Sequence, residues 1–129
     1  MIALLLALQA EHVVVISIDG LRPDFYRGDF DAPTLKGLAA RGMSAEEVEG
    51  VYPSTTYPSH ATIVTGVLPW KHGVAANTTW GEYGGTRDWH WKASQIKGLT
   101  LWQAARGKGL KVAITYWPTS VGADVDWIL

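Results

Sequence analysis

Hydroxyl side chains are concentrated in residues 53–60, just before an apolar stretch with helical spacing. Pro58 near the first turn and Gly66 as a stop predict a helix over residues 58–65, which places Thr56 at its N-terminus. The backbone N–H groups and the dipole at a helix N-terminus attract anions, so a phosphoryl group could dock there. The other hydroxyls of this segment are interpreted as capping and turn residues: Ser54, Thr55 and Ser59.

An aspartate at the end of a predicted strand is the second candidate. Residues 13–18 form a continuous apolar, β-branched run, which predicts a strand buried on both faces and ended by Asp19 and Gly20. Ligands of open α/β sheets bind at the carboxyl ends of strands, although a lone Asp in this place more often caps a turn. A threonine hydroxyl is a poor nucleophile at neutral pH unless it is activated. With no cysteine and no evident His–Asp pair, a metal ion shared by Asp19 and a hydroxyl is the natural activator.

Composition narrows the kinds of ligand. The chain has 129 residues, a formal net charge of -1 and no cysteine. The charge argues against a binder of duplex nucleic acid, whereas small phosphorylated substrates remain compatible with it. Any metal must be held by Asp, Glu, His or a hydroxyl, because no thiolate is available. The oligomeric state is not predicted.

The elements that must position these residues alternate between strand and helix. Helices are predicted over residues 33–41 and 99–107, and a buried strand over residues 111–116. Residues 43–52 are consistent with a second strand or an extended segment, and residues 68–97 form a long Trp-rich loop, interpreted as packing and cap surface. This order predicts an α/β fold with a mainly parallel sheet.

Several ordered motifs resemble the nucleotide pyrophosphatase/phosphodiesterase family (type I phosphodiesterases) of the alkaline phosphatase superfamily. In chain order they are Ser17-Ile-Asp-Gly-Leu-Arg-Pro-Asp24, Ala32-Pro-Thr-Leu35, Val51-Tyr-Pro-Ser-Thr-Thr-Tyr-Pro-Ser-His-Ala-Thr-Ile-Val-Thr-Gly66, His72-Gly-Val-Ala-Ala-Asn77 and Trp117-Pro118. The resemblance runs from about residue 13 to residue 118, almost the whole chain. It implies that residues 11–129 are the N-terminal portion of an alkaline phosphatase-like α/β/α sandwich.

The resemblance also implies roles for individual residues. Asp19 matches a metal-ligating aspartate, and Thr56 matches the nucleophile that is also a metal ligand. Asn77 matches the asparagine that, with the backbone N–H at the nucleophile, binds a non-bridging phosphoryl oxygen. Tyr57 stands where the family usually has phenylalanine beside the leaving group or base, which implies substrate binding. Ser59 stands where the family usually has asparagine.

The implied activity is metal-dependent hydrolysis of phosphodiester or pyrophosphate bonds in a small, nucleotide-like substrate. It implies two Zn²⁺ ions and a phosphothreonine intermediate at Thr56. A neutral Asn77 suits the single negative charge of a diester better than the double charge of a monoester. The alternatives are a phosphomonoesterase or phosphonate hydrolase of the same superfamily, or an inactive fragment that lacks the remaining zinc ligands.

The chain has fewer residues at the family's metal-ligand positions than two zinc ions need. Two zinc ions need about six or more protein ligands, and only Asp19 and Thr56 stand at matching positions. Asp124 and Asp126 match no ligand of the family. Two histidines within the motifs are interpreted as structural or as contacts behind the metal ligands, because the family's metal histidines come later in the chain: His60 and His72.

The two ends of the chain carry further expectations. Residues 1–10 are a charge-free apolar run that resembles the end of a secretory signal, which predicts a secreted or periplasmic protein. The alternatives are a first buried strand or a start codon assigned too late. Glu11 and His12 interrupt the run, so it is too short for a transmembrane helix. The loop-like residues 121–126 close to the end predict a truncated domain.

Overall fold

The computed structural model of the chain describes residues 12–80 and 87–129. The interpretation of residues 1–10 as a partial signal therefore lies outside the described residues. The chain forms two compact units, Met1–Glu47 and Val48–Leu129. None of the helices in the described ranges is long and apolar enough to cross a membrane.

The first unit contains two short helices, α1 (Pro23–Arg27) and α2 (Pro33–Arg41). Both begin at a proline, whose fixed φ suits the first helical turn, and both are followed by a glycine. The boundaries of α2 are those predicted from the sequence. The guanidinium of Arg27 donates to the backbone oxygens of Glu46 and Ala45, which ties α1 to the end of this unit.

The strand predicted for residues 13–18 is wrong. The structure assigns these residues no strand, and their large apolar side chains are between 48% and 80% exposed. Residues 43–52 form no strand either, and most of them are exposed. A buried strand needs hydrogen-bonded neighbours and covering layers, and the described part of this unit supplies only two helices with no buried residue.

The second unit is built around α3 (Thr56–Thr65), which packs against α4 (Pro69–His72). Gly66 ends α3 in the left-handed conformation, with φ of 67°, as the stop signal predicted. The helix begins two residues before the predicted start at Pro58. Three core residues of α3 recur at helical spacing: Tyr57, Ala61 and Val64. They pack in one hydrophobic core with residues from later in the chain: Val74, Ile96, Trp102 and Ile114.

Helix α5 (Leu101–Gly107) begins at a capping box. The Thr100 hydroxyl accepts from the backbone N–H of Gln103, and the Gln103 side chain accepts from the backbone N–H of Thr100. Thr100 and Trp102 are both buried, and the Trp102 side chain is part of the hydrophobic core. The predicted helix over residues 99–107 is therefore confirmed, with a start two residues later because Thr100 is the cap.

Two strands pair in parallel, β1 (Ala113–Ile114) and β2 (Trp127–Ile128). The predicted strand over residues 111–116 is shorter than expected, and β2 was not predicted. The carboxylate of Asp126 fixes the register, because it accepts from the backbone N–H of Val112 at 2.8 Å and from Arg106 at 3.1 Å. The Val112 hydrogen bond lowers the pKa of Asp126, and Arg106 contributes in the same direction.

The described part of the Trp-rich loop, residues 68–80 and 87–97, is largely irregular, as predicted, but carries local structure. Besides α4 it contains an antiparallel bridge between Thr78 and Trp89 and a 3₁₀ turn at Ala93–Gln95. A parallel bridge joins Lys92 to Val121. These links hold the loop against the elements of the second unit.

Candidate active site

The N-terminus of α3 is capped by a side chain that is distant in the sequence. The backbone N–H of Tyr57 donates to Oδ1 of Asn77 at 2.9 Å. Thr55 occupies the N-cap position, but its side chain makes no capping hydrogen bond. The capping predicted for Thr55 is therefore made by Asn77 instead, since an Asn oxygen satisfies the second N–H of a helix well.

This hydrogen bond also decides what Asn77 can offer a ligand. Its Oδ1 already accepts one hydrogen bond from α3, and its Nδ2 is a donor only, so Nδ2 is the atom of this side chain that suits an anionic ligand. Thr56 is the first residue of α3 and directly precedes Tyr57. The structure thus brings three of the predicted site residues into one neighbourhood: Thr56, Tyr57 and Asn77.

Backbone pairing between residues 77–79 and residues 88–91, called here the tryptophan arm, holds Asn77 in place. The backbone N–H of His90 donates to the Asn77 carbonyl at 3.1 Å, and the N–H of Thr79 donates to the Asp88 carbonyl at 2.7 Å. The segment of this arm that pairs with residues 77–79 contains two tryptophans, Trp89 and Trp91. The backbone of Asn77 is consequently held by this pairing, and its side chain is held by the hydrogen bond to the N-terminus of α3.

The ring of Tyr57 contacts the indole rings of both tryptophans. Its centroid is 5.3 Å from that of Trp89 and 6.3 Å from that of Trp91. Tyr57 is 8% exposed, and burial raises the pKa of its phenol. The part of this aromatic cluster that reaches solvent is therefore indole rather than phenol, because Trp89 and Trp91 are 43% and 47% exposed.

His60 stabilises the first turn of α3. Its Nδ1 lies 2.8 Å from the Thr56 carbonyl and donates to it, because a carbonyl can only accept. Its ring packs edge-on against Trp117 at 5.2 Å, and the residue is buried. These contacts agree with the structural role predicted for His60.

His72 is completely buried at the end of α4. Its Nδ1 accepts from the backbone N–H of Val74, so in the neutral ring Nε2 carries the proton and donates to Thr62 Oγ1 at 3.0 Å. Burial lowers the pKa of His72 because the charged imidazolium would lose its hydration. This histidine links α3 to α4.

Comparison with known proteins identifies the family. The family model described as type I phosphodiesterase/nucleotide pyrophosphatase matches residues 13–127. The chain belongs to this family. The resemblance that the ordered motifs indicated is thereby confirmed.

Relatives of this phosphodiesterase-family chain carry corresponding names. It is 30% identical to rat ectonucleotide pyrophosphatase/phosphodiesterase family member 3 over 122 residues, which cover 88% of this chain and 13% of the relative. It is 34% identical to a pyrophosphatase/phosphodiesterase of Schizosaccharomyces pombe over 117 residues, covering 82% of this chain and 23% of that protein. Mouse bis(5'-adenosyl)-triphosphatase is 31% identical over 96 residues, covering 74% of this chain and 20% of that protein.

One solved structure shows the fold. Murine ectonucleotide pyrophosphatase/phosphodiesterase 5 aligns with a TM-score of 0.52 and 23% identity, covering 66% of this chain and 26% of that chain. This likeness and the parallel pairing of β1 with β2 support the predicted α/β class. The phosphodiesterase-family chain spans between 13% and 23% of the lengths of the three curated relatives named above.

The metal site implied for the family does not fit the described residues taken alone. Asp19 lies in the first unit, at the turn before Gly20, and Thr56 lies in the second. The described ranges contain no group of three or more His, Asp or Glu side chains that could hold a metal. One carboxylate and one hydroxyl fall short of the three or four ligands that zinc takes from protein. Asp124 and Asp126 are ion-paired with Arg106.

The sequence pattern did not predict that the tryptophan arm lies beside Tyr57 at the start of α3. Asp88 Oδ1 accepts from the backbone N–H of Trp89 at 2.8 Å and from Nε1 of Trp91 at 3.0 Å, which holds the Trp89 backbone and the Trp91 indole. The sequence does carry a signal, because tryptophans two residues apart share one face of an extended segment. What it lacks is any local indication that this face meets Tyr57.

Proposed function

We propose that the chain carries the nucleophile-bearing part of a hydrolase that cleaves phosphodiester or pyrophosphate bonds, with Thr56 as the nucleophile. The observation that carries the proposal is the hydrogen bond between the Tyr57 N–H and Asn77 Oδ1. It holds a donor amide beside the residue that begins α3. Membership of the family and the names of the relatives support the reaction class.

The proposed reaction uses two side chains of this chain, Asn77 and Thr56, together with the N-terminus of α3. Nδ2 of Asn77 donates to a non-bridging oxygen of the phosphoryl group, while the positive end of α3 stabilises its negative charge. Thr56 Oγ1 attacks phosphorus, so that an Oγ1–P bond forms and the bond to the leaving oxygen breaks, while the hydroxyl proton passes through solvent to the leaving oxygen. Water then attacks phosphorus and breaks the Oγ1–P bond. One proton of that water returns to Thr56 Oγ1, and the phosphoryl product keeps the hydroxyl. The neutral amide favours a diester over a monoester.

Asp19 and Thr56 are proposed as two of the ligands of a zinc pair, by analogy with the family. The pair would need further ligands, so no step is assigned to zinc here. Calorimetric titration of this chain with Zn²⁺ tests the point. We expect fewer than two tight equivalents, because a partial ligand set does not offset the dehydration of the ion. Two tight equivalents would show that the chain holds a complete site.

The substrate and location are proposed more coarsely. A relative named bis(5'-adenosyl)-triphosphatase makes a small nucleotide-like phosphodiester or pyrophosphate the substrate class to test first. Residues 1–10 are proposed to direct export to the periplasm or exterior. Fusing these residues to a reporter that is active only outside the cytoplasm tests that, and a silent reporter would contradict it.

The decisive experiment compares Thr56→Ala and Thr56→Ser with the unmodified protein, each produced from the complete reading frame with Zn²⁺ supplied. Hydrolysis of bis(4-nitrophenyl) phosphate should fall by roughly 10³-fold or more in Thr56→Ala, because no oxygen remains to attack phosphorus. Thr56→Ser should keep measurable turnover.

Three other results would count against this assignment. Full activity of Thr56→Ala would remove Thr56 from the reaction. Faster turnover of 4-nitrophenyl phosphate than of the diester by the unmodified protein would favour the phosphomonoesterase alternative. No turnover of either ester would favour a non-catalytic domain.

A further inference from the structure

The peptide unit between Thr56 and Tyr57 is held at both of its polar ends by side chains. Its carbonyl, which belongs to Thr56, accepts from Nδ1 of His60 at 2.8 Å. Its N–H, which belongs to Tyr57, donates to Oδ1 of Asn77 at 2.9 Å. The atoms of a peptide unit are coplanar and include the Cα of the first residue. Two hydrogen bonds at opposite ends of the unit therefore fix its plane and, with it, the Cα of Thr56.

The imidazole of His60 is in turn held by its surroundings. His60 is 6% exposed, and its ring packs edge-on against that of Trp117, with centroids 5.2 Å apart and planes inclined at 75°. A buried ring that contacts an indole in this way cannot turn freely about its bond to the backbone. Trp117 therefore supports the hydrogen bond that His60 makes to the Thr56 carbonyl.

The loop that carries Trp117, residues 116–121 and called here the clamp loop, has a strained backbone. Tyr116 and Thr119 both have positive φ, 51° and 57°. This left-handed region is unfavourable for residues other than glycine, and most of all for a β-branched one such as threonine. Thr119 is 2% exposed, and Ser120 Oγ donates to the Trp117 carbonyl at 2.6 Å. Such strain persists only where the surrounding structure enforces it, and it is concentrated at functional sites.

The clamp loop is also joined to the tryptophan arm, which contains Asn77. The backbone N–H of Val121 donates to the Trp91 carbonyl at 2.9 Å. Backbone pairing within that arm holds Asn77. One loop thus supports both of the side chains that hold the peptide unit, His60 through Trp117 and Asn77 through the arm.

We propose that His60 is a positioning residue for the nucleophile, and that Trp117 acts on Thr56 through it. This inference rests on the proposed function of Thr56. The hydrogen bond to the Thr56 carbonyl sets the direction from which the Thr56 hydroxyl meets phosphorus, whereas Asn77 Nδ2 binds the phosphoryl oxygen. Removing that hydrogen bond should therefore lower kcat and leave KM nearly unchanged.

Two replacements of His60 separate its hydrogen bond from its packing. His60→Phe keeps an aromatic ring against Trp117 but has no donor for the Thr56 carbonyl. His60→Asn loses the ring but places an amide Nδ2 donor where histidine has Nδ1. Hydrolysis of bis(4-nitrophenyl) phosphate is measured with protein from the complete reading frame and Zn²⁺ supplied. In His60→Phe, kcat should fall by about 10-fold to about 10²-fold, the cost of a small misplacement of a reacting group. His60→Asn should recover most of kcat.

Trp117→Leu tests whether the indole acts through His60. Alone it should lower kcat by about tenfold. In His60→Phe protein it should cause no further loss, because the hydrogen bond that it supports is already gone. Trp70→Leu is the matched control and should leave kcat unchanged, since Trp70 is 73% exposed and lies on α4. Urea denaturation verifies that each variant is folded.

Four results would overturn the proposal. They are an unchanged kcat in His60→Phe, an equal loss in His60→Asn and His60→Phe, additive losses from Trp117→Leu and His60→Phe, and a comparable loss in Trp70→Leu. An equal loss in the two His60 variants would assign the effect to packing. Additive losses would show that Trp117 acts independently of His60.

Hydrogen exchange of the Tyr57 N–H measures the peptide unit without any substrate. In His60→Phe this exchange should speed up by about tenfold relative to that of the Val64 N–H, further along α3, because the first turn opens more often. His60→Asn should keep the unmodified ratio.

The exchange measurement separates this inference from the proposed function. If Thr56→Ala keeps full activity while exchange changes as expected, Thr56 is not the nucleophile, yet His60 still positions it. If Thr56→Ala is inactive while His60→Phe alters neither kcat nor exchange, the proposed function stands and the positioning role of His60 is wrong.

Discussion

Replacing Asn77 by aspartate separates its two roles, because the change is nearly isosteric and affects only one end of the side chain. Asp keeps an oxygen that can accept from the Tyr57 N–H, a bond of 2.9 Å in the structure. It replaces the Nδ2 donor with a second anionic oxygen. Asn77→Ala removes both the acceptor and the donor, and so serves as the matched comparison.

The two variants should differ in stability. Removing a capping acceptor costs about 1 kcal/mol, within a range of roughly 0.5–2 kcal/mol, so Asn77→Ala should lower the free energy of unfolding by that amount. A carboxylate at the N-terminus of a helix contributes about 0.3–1 kcal/mol, so Asn77→Asp should be as stable as the unmodified protein or slightly more stable. Urea denaturation followed by circular dichroism measures both.

The two variants should agree in function. Loss of one donor to a non-bridging oxygen lowers turnover by about 10²–10³-fold, and Asn77→Asp should fall at least as far because its charge repels the anionic substrate. Hydrolysis of bis(4-nitrophenyl) phosphate by the protein from the complete reading frame measures this. Unchanged turnover in Asn77→Asp would refute the donor role, and unchanged stability of Asn77→Ala would refute the capping role.

Three further changes test the scaffold by denaturation. Because burial lowers the pKa of His72 below 6.5, the unfolded chain takes up a proton first, so the free energy of unfolding should fall as the pH drops below about 6.5. His72→Asn, whose Oδ1 can still accept from the Val74 N–H, should weaken that dependence, and an equal slope in both proteins would contradict it. Gly66→Ala should cost about 1 kcal/mol because φ is 67°, whereas Gly66→Asn should cost less; equal stability of all three would show that the turn relaxes. Thr100→Ala should cost about 1 kcal/mol by opening the capping box with Gln103, and Thr100→Ser should recover most of it, as thermal melts would show.

Local signals predicted α2, α3 and α5, whereas the short helices α1 and α4 were not predicted. The boundaries of α2 follow from Pro33 and Gly42, which act on their own backbone and need no distant partner. The end of α3 at Gly66 has the same origin. The start of α3 was misplaced, because the residue that satisfies its exposed N–H is Asn77 and no local pattern links the two.

The strands depended on partners that periodicity does not specify. The apolar run at residues 13–18 indicates that a segment could be buried on both faces, but burial requires neighbours, and the structure leaves these side chains exposed. β2 went unpredicted because two residues are too few for a pattern. It is held by its register with β1 and by Asp126, which accepts from Val112.

The sequence by itself determined the family, the candidate nucleophile Thr56 and the likeness of Asn77 to an oxyanion-binding asparagine, because ordered motifs preserve residue types and spacing. Only the tertiary structure decided how these residues meet. It used Oδ1 of Asn77 to cap α3, which leaves Nδ2 as the donor, and it covered Tyr57 with Trp89 and Trp91. Hydrogen bonds and ring contacts between residues far apart in the chain arise from packing, and packing is a property of the folded molecule.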